Sequence, residues 1–243
     1  MAKSPAANSY VLVNKLTATT DKLRPQLLEG LRQLSIKADA GLTDALLFYL
    51  AELIRWNKAY NLTSVREPAE MVGRHLLDAY TVAPYIKYKV KCNETGDEKP
   101  QSILDVGTGA GLPGIPLALM FPQAAFVLMD SNGKKIRFIE HVVRELGLQN
   151  VTPLQARVES HPDDALFDTI LCRAYASLEN FVSSSGHLLS SDGVMIAMKG
   201  KVPQAELDEL PAAWVATQVD RVTVPGVDGE RHIVVLHKQS AGV

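Results

Sequence analysis

One octapeptide restricts the fold of this chain more than any other: Leu104-Asp105-Val106-Gly107-Thr108-Gly109-Ala110-Gly111. It follows a short apolar run of strand type, Ile103 to Val106, and opens a helix. Glycines at such a junction let the backbone turn tightly and come close to a ligand. The spacing is G-x-G-x-G, and Leu112 stands where a dinucleotide-binding G-x-G-x-x-G would place its third glycine. Asp105 lies two residues before the first glycine. A carboxylate so close would repel a pyrophosphate seated on the helix N-terminus. S-adenosylmethionine has no phosphate; its cationic sulfonium and its amino group are both compatible with an acid there. The alternative reading is an ordinary turn between strand and helix.

The rest of the chain supplies the context. Ala124 to Met129, Val151 to Leu154, Thr169 to Cys172 and Val194 to Met198 are further strand candidates. They alternate with helical stretches: Ile136, Ile139, Val142, Val143 and Leu146 form one stripe, with Gly147 at the C′ position. Leu178 to Leu189 and Gln204 to Leu210 follow. Such alternation predicts a parallel sheet with crossover helices. Val219 to Val224 and Ile233 to His237 are too close for a crossover and predict an antiparallel hairpin. By fold analogy, a parallel sheet closed by such a hairpin suits a methyltransferase better than a dehydrogenase, so the expected fold class is α/β, a Rossmann-like S-adenosylmethionine-dependent methyltransferase: a mostly parallel seven-stranded sheet with an antiparallel C-terminal hairpin and an N-terminal helical extension.

That extension is read from Leu23, Leu27, Leu28, Leu31 and Leu34, weakened by Pro25 and Gly30, and from a clearer helix over Leu46 to Ile54 with Thr43 as N-cap. Met71 to Tyr85 reads as another helix, and Lys87 to Pro100 as a linker. The expected division is residues 1–99 as helical extension with linker and 100–243 as the methyltransferase domain, together one compact unit. With 243 residues and 47% hydrophobic composition, the chain can bury a full core without metal or disulfides. Cys92 and Cys172 cannot form a disulfide framework or a cysteine-rich zinc site. No stretch approaches the ~18 uninterrupted apolar residues of a membrane span, and no targeting signal is evident. A cytoplasmic monomer without bound metal is expected.

Asp130 ends the second strand, where a carboxylate can accept both ribose hydroxyls of a nucleoside; the alternative is an N-cap. Val158-Glu159 follows the third strand, where an adenine base would meet an apolar wall and a polar partner; a solvated Glu159 is the alternative. Arg173 ends the fourth strand and is a candidate for contacting cofactor carboxylate, phosphate or substrate base, or else a structural ion pair. The chain has no Pro-Pro, so the usual clamp for exocyclic amino groups is absent. Pyrimidine C5 chemistry needs a cysteine nucleophile, and Cys172 lacks the Pro-Cys context; a small buried strand residue is the competing reading. A ring nitrogen such as guanine N7 carries a free lone pair and needs alignment, not a base.

The net charge of −2 excludes a uniformly basic nucleic-acid coat, but residues 1–100 carry +3 and 101–243 carry −5. Basic clusters fall at Arg55 and Lys58, at Arg66, Arg74 and His75, and at Lys134, Lys135 and Arg137. Trp56, Tyr60 and Tyr175 are candidates to stack on bases, with solvated helix faces as the plain alternative.

Several blocks carry a resemblance: Trp56 to Val65 (WNKAYNLTSV), Arg74 to Asp78 (RHLLD), Asp105 to Pro116, Arg173 to Ser177 (RAYAS), Lys199-Gly200 and Asp228 to His232 (DGERH). From about Leu42 to Lys238 the chain resembles the bacterial small-subunit ribosomal RNA guanine-N7 methyltransferase family, glucose-inhibited division protein B. The resemblance implies methyl transfer from S-adenosyl-L-methionine to N7 of one guanine in 16S ribosomal RNA, free or within the small subunit. Family cofactor positions fall on Gly107, Leu112, Val158, Glu159 and Arg173, beside Asp105, Gly109, Gly111 and Asp130 from the reading above. No catalytic residue is carried over; Arg173 is the candidate for positioning. Arg74, His75, Lys134, Arg137, Lys199 and Arg231 are the candidate RNA contacts. A methyltransferase acting on a small molecule or protein, and a non-catalytic adenosine-ligand or NAD-binding module, are the rival readings.

Overall fold

Strand β1 (Ser102–Val106) has no face suited to water: Ile103, Leu104, Asp105 and Val106 are all buried. It therefore takes the centre of the sheet, hydrogen-bonded in parallel to β2 (Ala125–Asp130) on one side and β4 (Phe167–Arg173) on the other. Beyond these lie β3 (Val151–Gln155) and β5 (Leu189–Lys199), both parallel to their neighbours. Strands β6 (Trp214–Arg221) and β7 (His232–Lys238) close the order β3-β2-β1-β4-β5-β7-β6, with β7 antiparallel to β5 and to β6. The computed structural model describes residues 18–86, 91–92, 98–162 and 166–239. Among these the expected seven-stranded sheet and terminal hairpin are present.

The hairpin's first strand starts earlier than its apolar pattern suggested. Pairing runs from Trp214 to Arg221, with a register shift between Ala216 and Gln218 that breaks the alternation. Val222 keeps one backbone bond to Arg231, and Val224 turns into the core.

Helices α1 (Arg24–Gln33) and α2 (Ala40–Tyr60) form the N-terminal layer. α2 is capped by Asp39, whose Oδ1 accepts from Leu42 N–H at 2.8 Å. Thr43 is not the cap: it lies inside the first turn and donates its hydroxyl to the Asp39 carbonyl. Thr and Asp are both good caps, and the one further upstream captures the free N–H. Residues Ala45 to Leu50 are buried without interruption, so the middle of this helix is internal on every side, while its last turn is exposed. Each fully buried leucine contributes roughly 2 kcal/mol.

The helix expected over Met71 to Tyr85 is broken into pieces. An α-turn (Pro68–Met71) passes into a π-helical turn (Val72–Leu77), then a short α-turn (Asp78–Tyr80) and a 3₁₀ turn (Ala83–Tyr85). Of the expected linker at 87–100, most lies outside the described residues; Lys91–Cys92 and Glu98–Lys99 pair antiparallel.

Helices α3 (Gly114–Met120), α4 (Gly133–Leu146), α5 (Leu178–Ser185) and α6 (Gln204–Asp208) complete the crossovers. α4 ends as expected, with Gly147 left-handed at φ 65°. Leu27, Leu46, Leu76 and Tyr80 share one core with Ile103, Ile115, Phe126 and Ile139, so the N-terminal helices pack onto one face of the sheet. The opposite face buries Leu104, Ile170, Cys172, Phe181 and Trp214.

Candidate active site at the carboxyl edge of the sheet

The strand order reverses at β1, with β2 on one side and β4 on the other. Ligands of open α/β sheets sit outside the carboxyl ends at such a point. The glycine turn leaves β1 there, with Gly107, Gly109 and Gly111 at φ 66°, 63° and 84°. All three lie in the left-handed region that other residues resist. The helix starts only at Gly114, after a full turn of irregular backbone.

Asp105 works from behind this turn. It is fully buried, and its Oδ2 accepts from the Thr108 hydroxyl at 2.6 Å and the Gly114 N–H at 2.9 Å. Its Oδ1 is buried with no partner. Burial pushes its pKa up to about 6, against the lowering effect of the two hydrogen bonds and of Arg173. Gly111 and Leu112 close the turn through backbone bonds to the Thr108 carbonyl, and the Leu112 side chain enters the core. A third support comes from the N-terminal layer: the buried Tyr49 of α2 donates to the Ala110 carbonyl at 2.8 Å.

Asp130 is not an N-cap. Asn132 takes that role, accepting from Lys134 N–H at 3.0 Å. Asp130 Oδ1 accepts from Asn132 N–H, and Oδ2 from Gly109 N–H at 3.0 Å and Lys135 Nζ at 3.2 Å. It thereby ties the end of β2 to the glycine turn. Gly107, Asp130, Val158 and Glu159 line one cleft of about 310 Å³, together with Met129, Lys135 and Tyr175. Val158 presents a buried apolar wall and Glu159 is exposed beside it. A neighbouring groove of about 430 Å³ shares Glu159 and Tyr175 and continues to Asn180 and Ser184 on α5. Lys135 was visible in sequence only as one cation of a cluster; its pairing with Asp130 depends on the turn between β2 and α4.

After β4 the backbone bends sharply at Ala174, a non-glycine residue at φ 59°. Tyr175 is thereby directed to the cleft, with its hydroxyl 2.9 Å from Ser184 Oγ and its ring 5.5 Å from Phe181. Arg173 engages the segment before the sheet: its guanidinium donates to Asp78 Oδ2 at 3.3 Å and to the Arg74 carbonyl at 3.2 Å. Arg231 donates to Asp78 Oδ1 at 3.2 Å. Asp78 stood in the RHLLD block, and the signal that marks it is an acid within an apolar helix.

Two of the candidate RNA contacts do not reach the surface. His75 is 5% exposed; its Nδ1 donates to the Arg74 carbonyl at 3.0 Å and its Nε2 accepts from the Thr63 hydroxyl at 2.9 Å. Burial and the nearby Arg173 pull its pKa down to about 4, so the ring is neutral. Lys199 is covered by α6, with its ammonium 2.7 Å from Glu206. Lys134 and Arg137 are exposed on α4, and Arg74 is half-exposed beside Glu70. Trp56 stacks internally on Tyr60, Phe138 and His141, which leaves Tyr60 and Tyr175 as the accessible rings of the three. The Cys172 thiol is buried in β4, and burial raises its pKa well above normal.

The donor set suits a cationic adenosine ligand better than a dinucleotide. Asp130 and Glu159 place carboxylates on the cleft, Val158 gives it an apolar wall, and Asp105 is a further carboxyl buried behind the glycine turn. A phosphate gains nothing from two acids flanking the turn.

A mostly parallel sheet of this order, with a glycine turn after its central strand and an acid after the next, has the fold of S-adenosylmethionine-dependent methyltransferases. Among solved structures, a SAM-dependent methyltransferase from Aquifex aeolicus superimposes with a TM-score of 0.51 at 18% identity, over 72% of this chain and 96% of that one. Residues 43–234 match the family profile described as rRNA small subunit methyltransferase G, GidB. The ribosomal RNA small subunit methyltransferase G of Salmonella arizonae is 45% identical over 86% of this chain and 98% of its own. That of Stutzerimonas stutzeri is 46% identical over 88% and 95%. The chain belongs to this family.

Proposed function

We propose that the protein transfers the methyl group of S-adenosyl-L-methionine to N7 of one guanine in 16S ribosomal RNA. The observation that carries this reading is the cleft in which Asp130, the glycine turn and Val158-Glu159 meet, in a chain of the rRNA small subunit methyltransferase G family. Asp130 would accept the ribose hydroxyls, Val158 would lie against the base and Glu159 would meet its polar edge. Gly107, Gly109, Gly111 and Leu112 form the turn that lets the backbone approach, and Asp105 would act from behind it, holding the turn through Thr108 and Gly114. The cofactor supplies an activated methyl group. Arg173 would position substrate or cofactor at the β4 end.

Guanine N7 has an in-plane lone pair and no proton to lose. The protein therefore needs to align the base, exclude water and hold the ring, not to abstract a proton. The side chains agree: His75 is engaged on both nitrogens and Cys172 is sealed in the strand. Lys134, Arg137, Arg74 and Arg231 are the proposed phosphate contacts. The helical segment before residue 100 is proposed to be part of the enzyme's working unit, because Tyr49 holds the glycine turn. No helix among the described residues is long and apolar enough to cross a membrane; a monomer acting in the cytoplasm is the proposed setting.

The test is incubation of the protein with methyl-labelled S-adenosylmethionine and either small subunits or naked 16S RNA, followed by nucleoside analysis. Label in 7-methylguanosine is expected. Label elsewhere, or none with either substrate, overturns the reading.

A further inference from the structure

We propose that Asp78 is a positioning residue for methyl transfer, holding Arg173 at the end of β4 and Arg231 before β7 on its two carboxylate oxygens. The proposal rests on the reading that Arg173 serves the methyl-transfer site. Asp78 lies 95 residues before Arg173 and 153 before Arg231, yet its carboxylate, 8% exposed, meets both guanidinium groups at 3.3 and 3.2 Å.

The local backbone is built for this meeting. The π-helical turn Val72–Leu77 closes with the Asp78 N–H donating to the Gly73 carbonyl, five residues back. Such turns displace the following side chain from its α-helical direction and recur at functional sites. The Arg74 carbonyl within this turn accepts from Arg173 and from His75. On the other side, the loop before β7 packs directly on Gly73. A Cβ there would come within 2.6 Å of Val227 and 3.4 Å of the Pro225 carbonyl. The π-turn is thus clamped between the end of β4 and the loop that carries Arg231.

Fold stability alone is a poor reason for this arrangement. Removing the Asp78 carboxylate from water offsets much of the gain from pairing it. Asp78 can neutralise only one of its two arginines. Arg173 also lies in the field of Asp105. Signs therefore alternate from the glycine turn outwards: Asp105, Arg173, Asp78, Arg231. Freed from Asp78, the Arg173 side chain would have several rotamers available at the end of the strand.

A double-mutant cycle with Asp78→Asn and Arg173→Gln tests the idea, read as S-adenosylhomocysteine affinity by titration and as KM and kcat for labelled methyl transfer to small subunits. Arg173→Gln is expected to weaken S-adenosylhomocysteine binding and raise KM for the cofactor by about tenfold. Asp78→Asn is expected to do nearly the same, and the double variant to be less than about twofold worse than Arg173→Gln alone. If Asp78→Asn does not fold, the double variant, which removes both members of the Asp78–Arg173 pair, is compared with Arg173→Gln. Equality supports the proposal. Wild-type parameters in Asp78→Asn, or a penalty that adds in full to that of Arg173→Gln, overturn it. Wild-type parameters in Arg173→Gln would instead remove the reading of Arg173 on which it rests.

Discussion

His75 shows how far a residue's role depends on where its chain buries it. In sequence it stands beside Arg74 and reads as part of a basic surface; in the fold it is neutral and saturated by Thr63 and the Arg74 carbonyl. Its pKa falls to about 4 from 6.5, so the unfolded chain binds a proton in that window that the native state refuses. This contribution to stability is complete above pH 6.5 and is lost as pH falls towards 4, on the order of 3 kcal/mol. Asp105 acts in the opposite direction: its raised pKa makes the native state the better proton binder between 3.8 and about 6. Denaturant unfolding of wild type against His75→Gln separates the two. The stability difference between them should shrink as pH falls from 6.5 to 4; a difference independent of pH would contradict the account. Ala174 gives a second prediction. An alanine at φ 59° costs roughly 1 kcal/mol relative to glycine. Ala174→Gly should raise unfolding free energy by about that amount while raising KM for the cofactor, because Arg173 and Tyr175 lose their fixed divergence. A stabilised variant with unchanged KM would show that the bend does not position them. Asp130 was legible from its place at the end of a strand. The burial of His75 and Lys199 was not, because their partners, Thr63 and Glu206, are brought to them by tertiary packing.

Among elements, those with a clean period were read correctly and those where two signals compete were not. β1, β2 and α4 carry uninterrupted patterns and a glycine stop, and lie where the pattern put them. Met71 to Tyr85 has helical spacing throughout, yet it folds as α, π, α and 3₁₀ turns. The contacts that select the π-turn, from Arg173 and from the loop at Val227, come from far along the chain and leave no local trace. The start of β6 was hidden by its bulge at Ala216 to Gln218. α2 illustrates an element that serves the site at a distance. Its middle is internal, and a buried tyrosine hydroxyl there gains from an acceptor; Tyr49 finds the Ala110 carbonyl in the glycine turn. Tyr49→Phe should lower unfolding free energy by about 1 kcal/mol, since one buried hydrogen bond is lost with little change of shape. It should also weaken S-adenosylhomocysteine binding measurably by titration. Full affinity would mean that the turn holds its shape without α2.

At the scale of the whole molecule, the small net charge of −2 conceals an uneven distribution along the chain. The N-terminal hundred residues carry +3, while the remainder carries −5 and places Asp105 and Asp130 around the glycine turn. On the proposed function, electrostatic contact with RNA is local, through Arg74, Lys134, Arg137 and Arg231. If these four contact phosphates, the logarithm of RNA affinity should fall against the logarithm of salt concentration with a slope of about −3. A slope near zero, measured by filter binding across a salt series, would point to a substrate other than nucleic acid. Both halves meet at one sheet edge, where the cleft is the central claim. Titration of S-adenosylhomocysteine into wild type and Asp130→Asn tests that claim most directly. The account predicts binding to wild type in competition with S-adenosylmethionine, and a Kd raised by about tenfold or more in the folded variant. Equal affinity of the two proteins would contradict it.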